Sequence, residues 1–156
     1  MKQDIDGFVK GLQRQILDQA RGQYSKVVLD HGMNPRNRFP MDNPDGHAGI
    51  KGPCGDTMEL FIRVRKGRIV NASFLTDGCI TSVASASMSV QMAIGKSVAE
   101  VLAISQYDIL NELGGLPEES RHCALLASNT LHEAVRDYLG TGNEPRKIRF
   151  HRPAPG

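Results

Sequence analysis

Three cysteines give this 156-residue chain its clearest chemical potential. Cys54 lies in Gly52-Pro53-Cys54-Gly55-Asp56, Cys79 in Asp77-Gly78-Cys79-Ile80-Thr81-Ser82, and Cys123 in Arg121-His122-Cys123. The plain alternative for any cysteine is a small core hydrophobe. Here each one adjoins Gly, Pro or His at a turn or a helix start rather than on an apolar face, which favours thiolate chemistry. Three cysteines cannot all pair, so a disulfide framework does not account for them, and a reducing compartment suits them. Their spacings of 25 and 44 residues match no zinc finger or ribbon, which use close CxxC pairs. Three thiolates from distant segments make an open site. Such soft ligands suit iron–sulfur or zinc chemistry.

Two harder groups stand beside them. Asp56 follows Cys54 by two residues, and in extended backbone positions i and i+2 point the same way, so its carboxylate can face the same site. Its plain reading is a turn aspartate. His122 adjoins Cys123 and otherwise reads as a solvated residue in a helix's first turn. One harder oxygen or nitrogen bond beside soft ones is the weaker bond, and a site with a weak bond can release what it holds. The other histidines, His31, His47, His132 and His151, read as surface or capping residues.

The elements around these residues determine whether they can meet. Arg68 to Leu75 has the branched, alternating character of a strand, and Ser82 to Ile94 reads as a small-residue helix ended by Gly95. Cys79 therefore sits where a strand hands over to a helix, and the free N–H groups and helix dipole there favour a thiolate. Thr57 to Arg65 alternates likewise, and the short Lys66-Gly67 break makes the two strands a hairpin. Cys54 precedes the first strand and Cys79 follows the second, so an antiparallel hairpin brings both to one end of the sheet.

Upstream, residues 4 to 31 read as helical, with Gly22 as a candidate break and Gly32 as the stop before Asn34-Pro35-Arg36-Asn37. Residues 38 to 53 read as a long loop. Downstream come three more helices: Ser97 to Ile104, with Ser97 as N-cap and Glu100 in the capping-box position, Tyr107 to Leu113, and Arg121 to Leu139 before Gly140. The class is α+β. Residues 1–140 read as one domain, with 1–23 as an extra N-terminal helix. Residues 141–156, with Pro145, Pro153, Pro155, Arg146, Lys147, Arg149 and Arg152, read as a flexible basic tail.

The formal net charge of +2 is too small to argue for nucleic acid. Met1 is followed by Lys2-Gln3-Asp4-Ile5-Asp6, with no apolar region of a secretory signal, and no apolar run approaches membrane-spanning length. A cytoplasmic location is the expectation.

Taken together, Asp30-His31-Gly32-Met33-Asn34-Pro35-Arg36-Asn37, Cys54-Gly55-Asp56, Asp77-Gly78-Cys79 with Ala84-Ser85-Ala86-Ser87, Gly95-Lys96-Ser97, Leu116-Pro117 and His122-Cys123 fall in a telling order. It resembles that of the iron–sulfur cluster assembly scaffolds of the IscU and NifU N-terminal type, over about residues 24 to 139. The resemblance implies a small antiparallel sheet of about three strands packed by helices, the third strand coming from near His47 to Lys51. It implies a scaffold, not an enzyme: a cysteine desulfurase delivers sulfur, iron is added, and a [2Fe–2S] cluster is built and passed to acceptor apo-proteins. On that pattern Cys54, Cys79 and Cys123 are ligands and sulfur acceptors. Asp56 and His122 supply or exchange the fourth position, and Lys96 lies near the site, where its charge offsets the thiolates. Zinc suits the same ligands and is expected as a metal in purified protein.

Two features depart from the family pattern. Members that use a dedicated Hsp70-type chaperone carry Leu-Pro-Pro-Val-Lys where this chain has Leu116-Pro117-Glu118-Glu119-Ser120, of opposite charge, so that partner is not carried over. Residues 1–23 and the basic tail lie outside the match. The sulfur-relay branch, which has an arginine in place of the histidine, fits poorly with His122. The competing readings are a zinc-binding sulfurtransferase-type sulfur acceptor, with Cys123 as nucleophile beside His122, and a zinc-stabilised binding module. A homo-oligomer is compatible with each.

Overall fold

Lys66 and Gly67 both take positive φ (52° and 75°), the backbone that a tight two-residue hairpin turn demands. They join β2 (Thr57–Arg65) to β3 (Arg68–Thr76), which pair antiparallel from Met58↔Thr76 to Arg65↔Arg68. β1 (Gly46–Lys51) pairs with the other side of β2, from Gly46↔Ile62 to Lys51↔Thr57, giving the order β1-β2-β3. The predicted hairpin is thus present to within a residue. The third strand forms at 46–51, inside the stretch that composition alone reads as loop.

The computed structural model describes residues 2–53 and 55–140, with only the backbone described at 2–4 and 16–21. Cys54, His151 and the rest of the basic tail lie outside the described residues. The helices are α1 (Lys2–Gln23), α2 (Lys26–Met33), α3 (Ile80–Ala93), α4 (Val98–Leu102), α5 (Gln106–Leu113) and α6 (His122–Leu139), with a short 3-10 turn at Glu118–Ser120. This is the expected α+β class. No described helix is long and apolar enough to cross a membrane. Along α1, Ile5, Phe8, Val9 and Leu12 remain exposed.

Met58, Leu60, Ile62 and Val64 of β2, with Ala72 and Phe74 of β3, form the apolar core together with residues of α3 and α6. α3 is buried almost all round: eleven of its residues, from Thr81 to Ala93, are inaccessible. A helix enclosed on every side lacks a polar face, which explains its Ser, Ala and Val composition. α4 carries the expected capping box, with Ser97 N–H donating to Glu100 (2.9 Å) and Glu100 N–H to the Ser97 hydroxyl (3.1 Å). A second box at Ser105 and Asp108 opens α5.

The Asp30–Asn37 segment fastens α2 to α3. The Arg36 backbone N–H donates to the Ser87 hydroxyl (2.9 Å), which leaves that hydroxyl's own proton for His31 Nδ1 at 2.8 Å. Burial holds the His31 pKa below its ordinary value. The nearby Arg36 charge acts the same way, and Asp30 opposes both. Arg36 also pairs with Asp30 at 2.7 Å. Asn37 closes the outer edge of β3, donating to the Ala72 carbonyl and accepting from the Phe74 N–H. A Cβ on Gly32 would lie 2.3 Å from Ile80 Cγ1, so glycine lets α2 press against the first residue of α3.

Two histidines correct the surface reading. His31 and His47 are 3% and 8% exposed, because their partners lie inside the fold. His47 stacks on Phe61 with ring centroids 4.7 Å apart and lies 4.0 Å from Glu59, while its backbone N–H donates to Asp137. His132 is half-buried and donates from Nε2 to the Ile104 carbonyl at 2.7 Å.

Gly46 is the tightest contact between sheet and helix: an added Cβ would meet the Ala134 carbonyl oxygen at 2.2 Å. Backbone cannot swing aside as a side chain can. Gly46→Ala is therefore expected to destabilise the fold by about 1–3 kcal/mol, the usual cost of overpacking. Urea unfolding of the two proteins measures this, and an unchanged midpoint would contradict it.

Candidate metal centre at the head of α3

The open end of the hairpin is pinned by its own backbone. Thr57 N–H donates to the Asp77 carboxylate (2.7 Å), and the Thr76 hydroxyl donates to the Thr57 carbonyl (2.6 Å). Hydrogen bonding from Thr57, its backbone N–H first and its side chain next, holds the Asp77 carboxyl below its usual pKa range. Asp56 and Gly78, the next residues outward on the two strands, are thereby set side by side. An added Cβ on Gly78 would lie 2.7 Å from Asp56 Oδ2.

Cys79 is the N-cap of α3 and is exposed. Its sulfur lies 3.1 Å from the Thr81 hydroxyl. Burial pushes the thiol pKa up, as does the Asp56 charge. The Thr81 hydroxyl and the backbone N–H groups of Thr81 and Ser82 together outweigh them, and the pKa lies below the ordinary thiol value. The thiolate expected at this handover from strand to helix is therefore favoured.

Cys123 comes to the same place from the start of α6 and is only 2% exposed. The Thr81 hydroxyl that contacts Cys79 lies 3.4 Å from the Cys123 sulfur. One hydroxyl thus bridges both sulfurs. Next to it, the Ser82 hydroxyl donates to Asp56 Oδ2 at 2.9 Å and lies 3.5 Å from the Cys123 sulfur. His122 is half-buried, with Nε2 3.7 Å from the Cys123 sulfur.

Asp56, Cys79, His122 and Cys123 therefore gather around the first turn of α3, from three places in the sequence. Among the described residues no group of three His, Cys, Asp or Glu side chains is arranged to hold a metal ion by itself. The hydroxyls of Thr81 and Ser82 lie between these side chains. Sequence reasoning missed both, although hydroxyl residues two and three positions after an N-cap cysteine are the signal that marks them. The described donors, two sulfurs with one carboxylate and one imidazole, fit a soft or borderline metal.

Lys96 is a correction. It lies beyond the C-terminal end of α3, where its carbonyl accepts from the Ile69 N–H. α3 has 14 residues, so about 20 Å of helix separates Lys96 from Cys79. Its charge does not offset the thiolates. The Gly95-Lys96-Ser97 segment instead closes the other end of the sheet, where Ser97 bridges to Arg68 and caps α4.

The fold and the thiol-rich head of α3 define a class. The family model for the NifU-like N terminal domain matches residues 23–144, and the chain belongs to that family. Within it, the chain is 39% identical over 127 residues to an iron–sulfur cluster assembly scaffold protein IscU of Archaeoglobus fulgidus, covering 81% of this chain and 83% of that one. It is 42% identical over 120 residues to the IscU scaffold protein of Escherichia coli, covering 74% and 93%. Among solved structures, the N-terminal region of a NifU-like protein from Brucella abortus matches with a TM-score of 0.62 at 22% identity, covering 76% of this chain and 95% of that one. That likeness establishes the fold.

The electrostatics of Cys79 can be measured directly. In metal-free protein, the pH profile of Cys79 alkylation by iodoacetamide, followed by peptide mass spectrometry, is expected to have its midpoint below that of an ordinary thiol. Thr81→Val removes the hydroxyl that favours the thiolate and is expected to move the midpoint upward. A midpoint unmoved by that substitution would contradict the assignment.

Proposed function

We propose that this chain is a scaffold on which an iron–sulfur cluster of the [2Fe–2S] type is assembled and then passed to acceptor apo-proteins. The observation that carries this reading is the meeting of Asp56, Cys79 and Cys123 through two hydroxyls at the head of α3. Membership of the NifU-like N terminal domain family and the names of its IscU relatives support it. The cluster is cargo, so a site that holds it must also let it go.

In this reading Cys54, Cys79 and Cys123 are the thiolate ligands. Cys54 falls by sequence between Gly52 and Asp56, which are joined by a 2.7 Å bond from the Gly52 N–H to the Asp56 carbonyl. Asp56 and His122 share the fourth position. Their weaker bonds to iron let the cargo leave. Sulfur enters at Cys79, the exposed sulfur with the lowered pKa. Its thiolate attacks the outer sulfur of a desulfurase persulfide, forming a Cys79 persulfide and releasing the desulfurase thiolate. A reducing cytoplasm keeps these thiols available. Zinc occupies the same donors when iron and sulfide are absent.

Anaerobic incubation with ferrous iron, cysteine, a cysteine desulfurase and a dithiol reductant, which supplies the two electrons that take persulfide sulfur to sulfide, is expected to give a visible-range chromophore with matching iron and acid-labile sulfide. Cys79→Ala is expected to abolish it. Turnover of sulfur through a persulfide with no stable chromophore would replace the scaffold reading with the sulfurtransferase one. A large fall in melting temperature on chelation of purified protein would instead favour a structural zinc module.

A further inference from the structure

We propose that Ser82 is a positioning residue that sets the Asp56 carboxylate for the cargo. This rests on Asp56 serving as a ligand in the function proposed above. Ser82 is fully buried in the first turn of α3. It donates to Asp56 Oδ2 at 2.9 Å, and among the described residues that bond is the one holding the carboxylate. The Ser82 oxygen also lies 3.5 Å from the Cys123 sulfur. The same hydroxyl therefore touches a hard candidate ligand and a soft one from different elements.

Gly78 makes the arrangement possible. An added Cβ there would lie 2.5 Å from both Ser82 Cβ and Oγ and 2.7 Å from Asp56 Oδ2. Any larger residue would drive the serine and the aspartate apart. The helix start, the end of β3 and the start of β2 are thus packed to leave room for this one bond. Holding Oδ2 leaves Oδ1 as the oxygen that can approach a metal, in a fixed orientation. Partners that orient a ligating carboxylate typically change metal affinity 10–100-fold when removed. Ser85, in the next turn of the same helix, is equally buried, and its hydroxyl has no hydrogen-bond partner among the described residues. It supplies the control for loss of a buried hydroxyl.

The test is an anaerobic titration of metal-free, full-length protein with Co²⁺, whose thiolate charge-transfer bands report sulfur ligands and whose d–d bands report the whole ligand set. Ser82→Ala is expected to weaken Co²⁺ binding about 10–100-fold and to change the d–d bands as Asp56→Ala does, while the charge-transfer bands remain. In an Asp56→Ala background the serine substitution should add little, because the two act as one unit. Ser85→Ala should leave affinity unchanged. Full additivity of the Ser82 and Asp56 effects, or an equal loss with Ser85→Ala, would overturn the inference, as would wild-type affinity in Ser82→Ala. Should Cys79→Ala leave the charge-transfer bands intact, the underlying site assignment would fail instead.

Discussion

Everything at the candidate centre depends on close packing at the N-terminal end of one enclosed helix. α3 is pressed by α2, by the sheet and by α6, and its first turn meets the open end of the hairpin. Small side chains permit this. Glycine at 32 admits Ile80, and glycine at 78 admits Ser82 and Asp56. A methyl group at either position would meet atoms at well under van der Waals distance. Close-packed interiors do not absorb such errors smoothly. Ligand geometry is therefore set by backbone proximity before any metal is considered.

Hydrogen bonding fills in what packing leaves. Two hydroxyls stand between the candidate ligands. Thr81 spans the two sulfurs, and Ser82 spans a sulfur and a carboxylate. Buried hydroxyls are costly unless satisfied. Here the candidate ligands themselves provide the satisfaction. The pinned hairpin end, through Thr57, Thr76 and Asp77, does the same for the backbone beneath it.

Much of this was legible in the residues. The alternation of Leu60, Ile62 and Val64, the Lys66-Gly67 turn and the Ser97/Glu100 box are local signals, and each reports its own element. They suffice to bring Asp56 and Cys79 to one end of the sheet. β1 was harder to see: Gly46-His47-Ala48-Gly49 has weak strand character and forms only because β2 offers it an edge. The inward turn of His31 and His47 was hidden for a related reason, since Ser87 and Phe61 are far away in sequence. Lys96 misled because the family resemblance placed it near the site, although the helix read from Ser82 to Ile94 already set it at the opposite end from Cys79. Thr81 and Ser82 read as ordinary helix filler until α6 was brought alongside.

The two described sulfurs differ in their access to water. Cys79 is exposed at the surface end of the first turn, and Cys123 is shut in behind the Thr81 hydroxyl. The centre therefore has a front door and a back wall. A group arriving from solution can meet the Cys79 sulfur, whereas the Cys123 sulfur is out of its reach unless the packing around it opens.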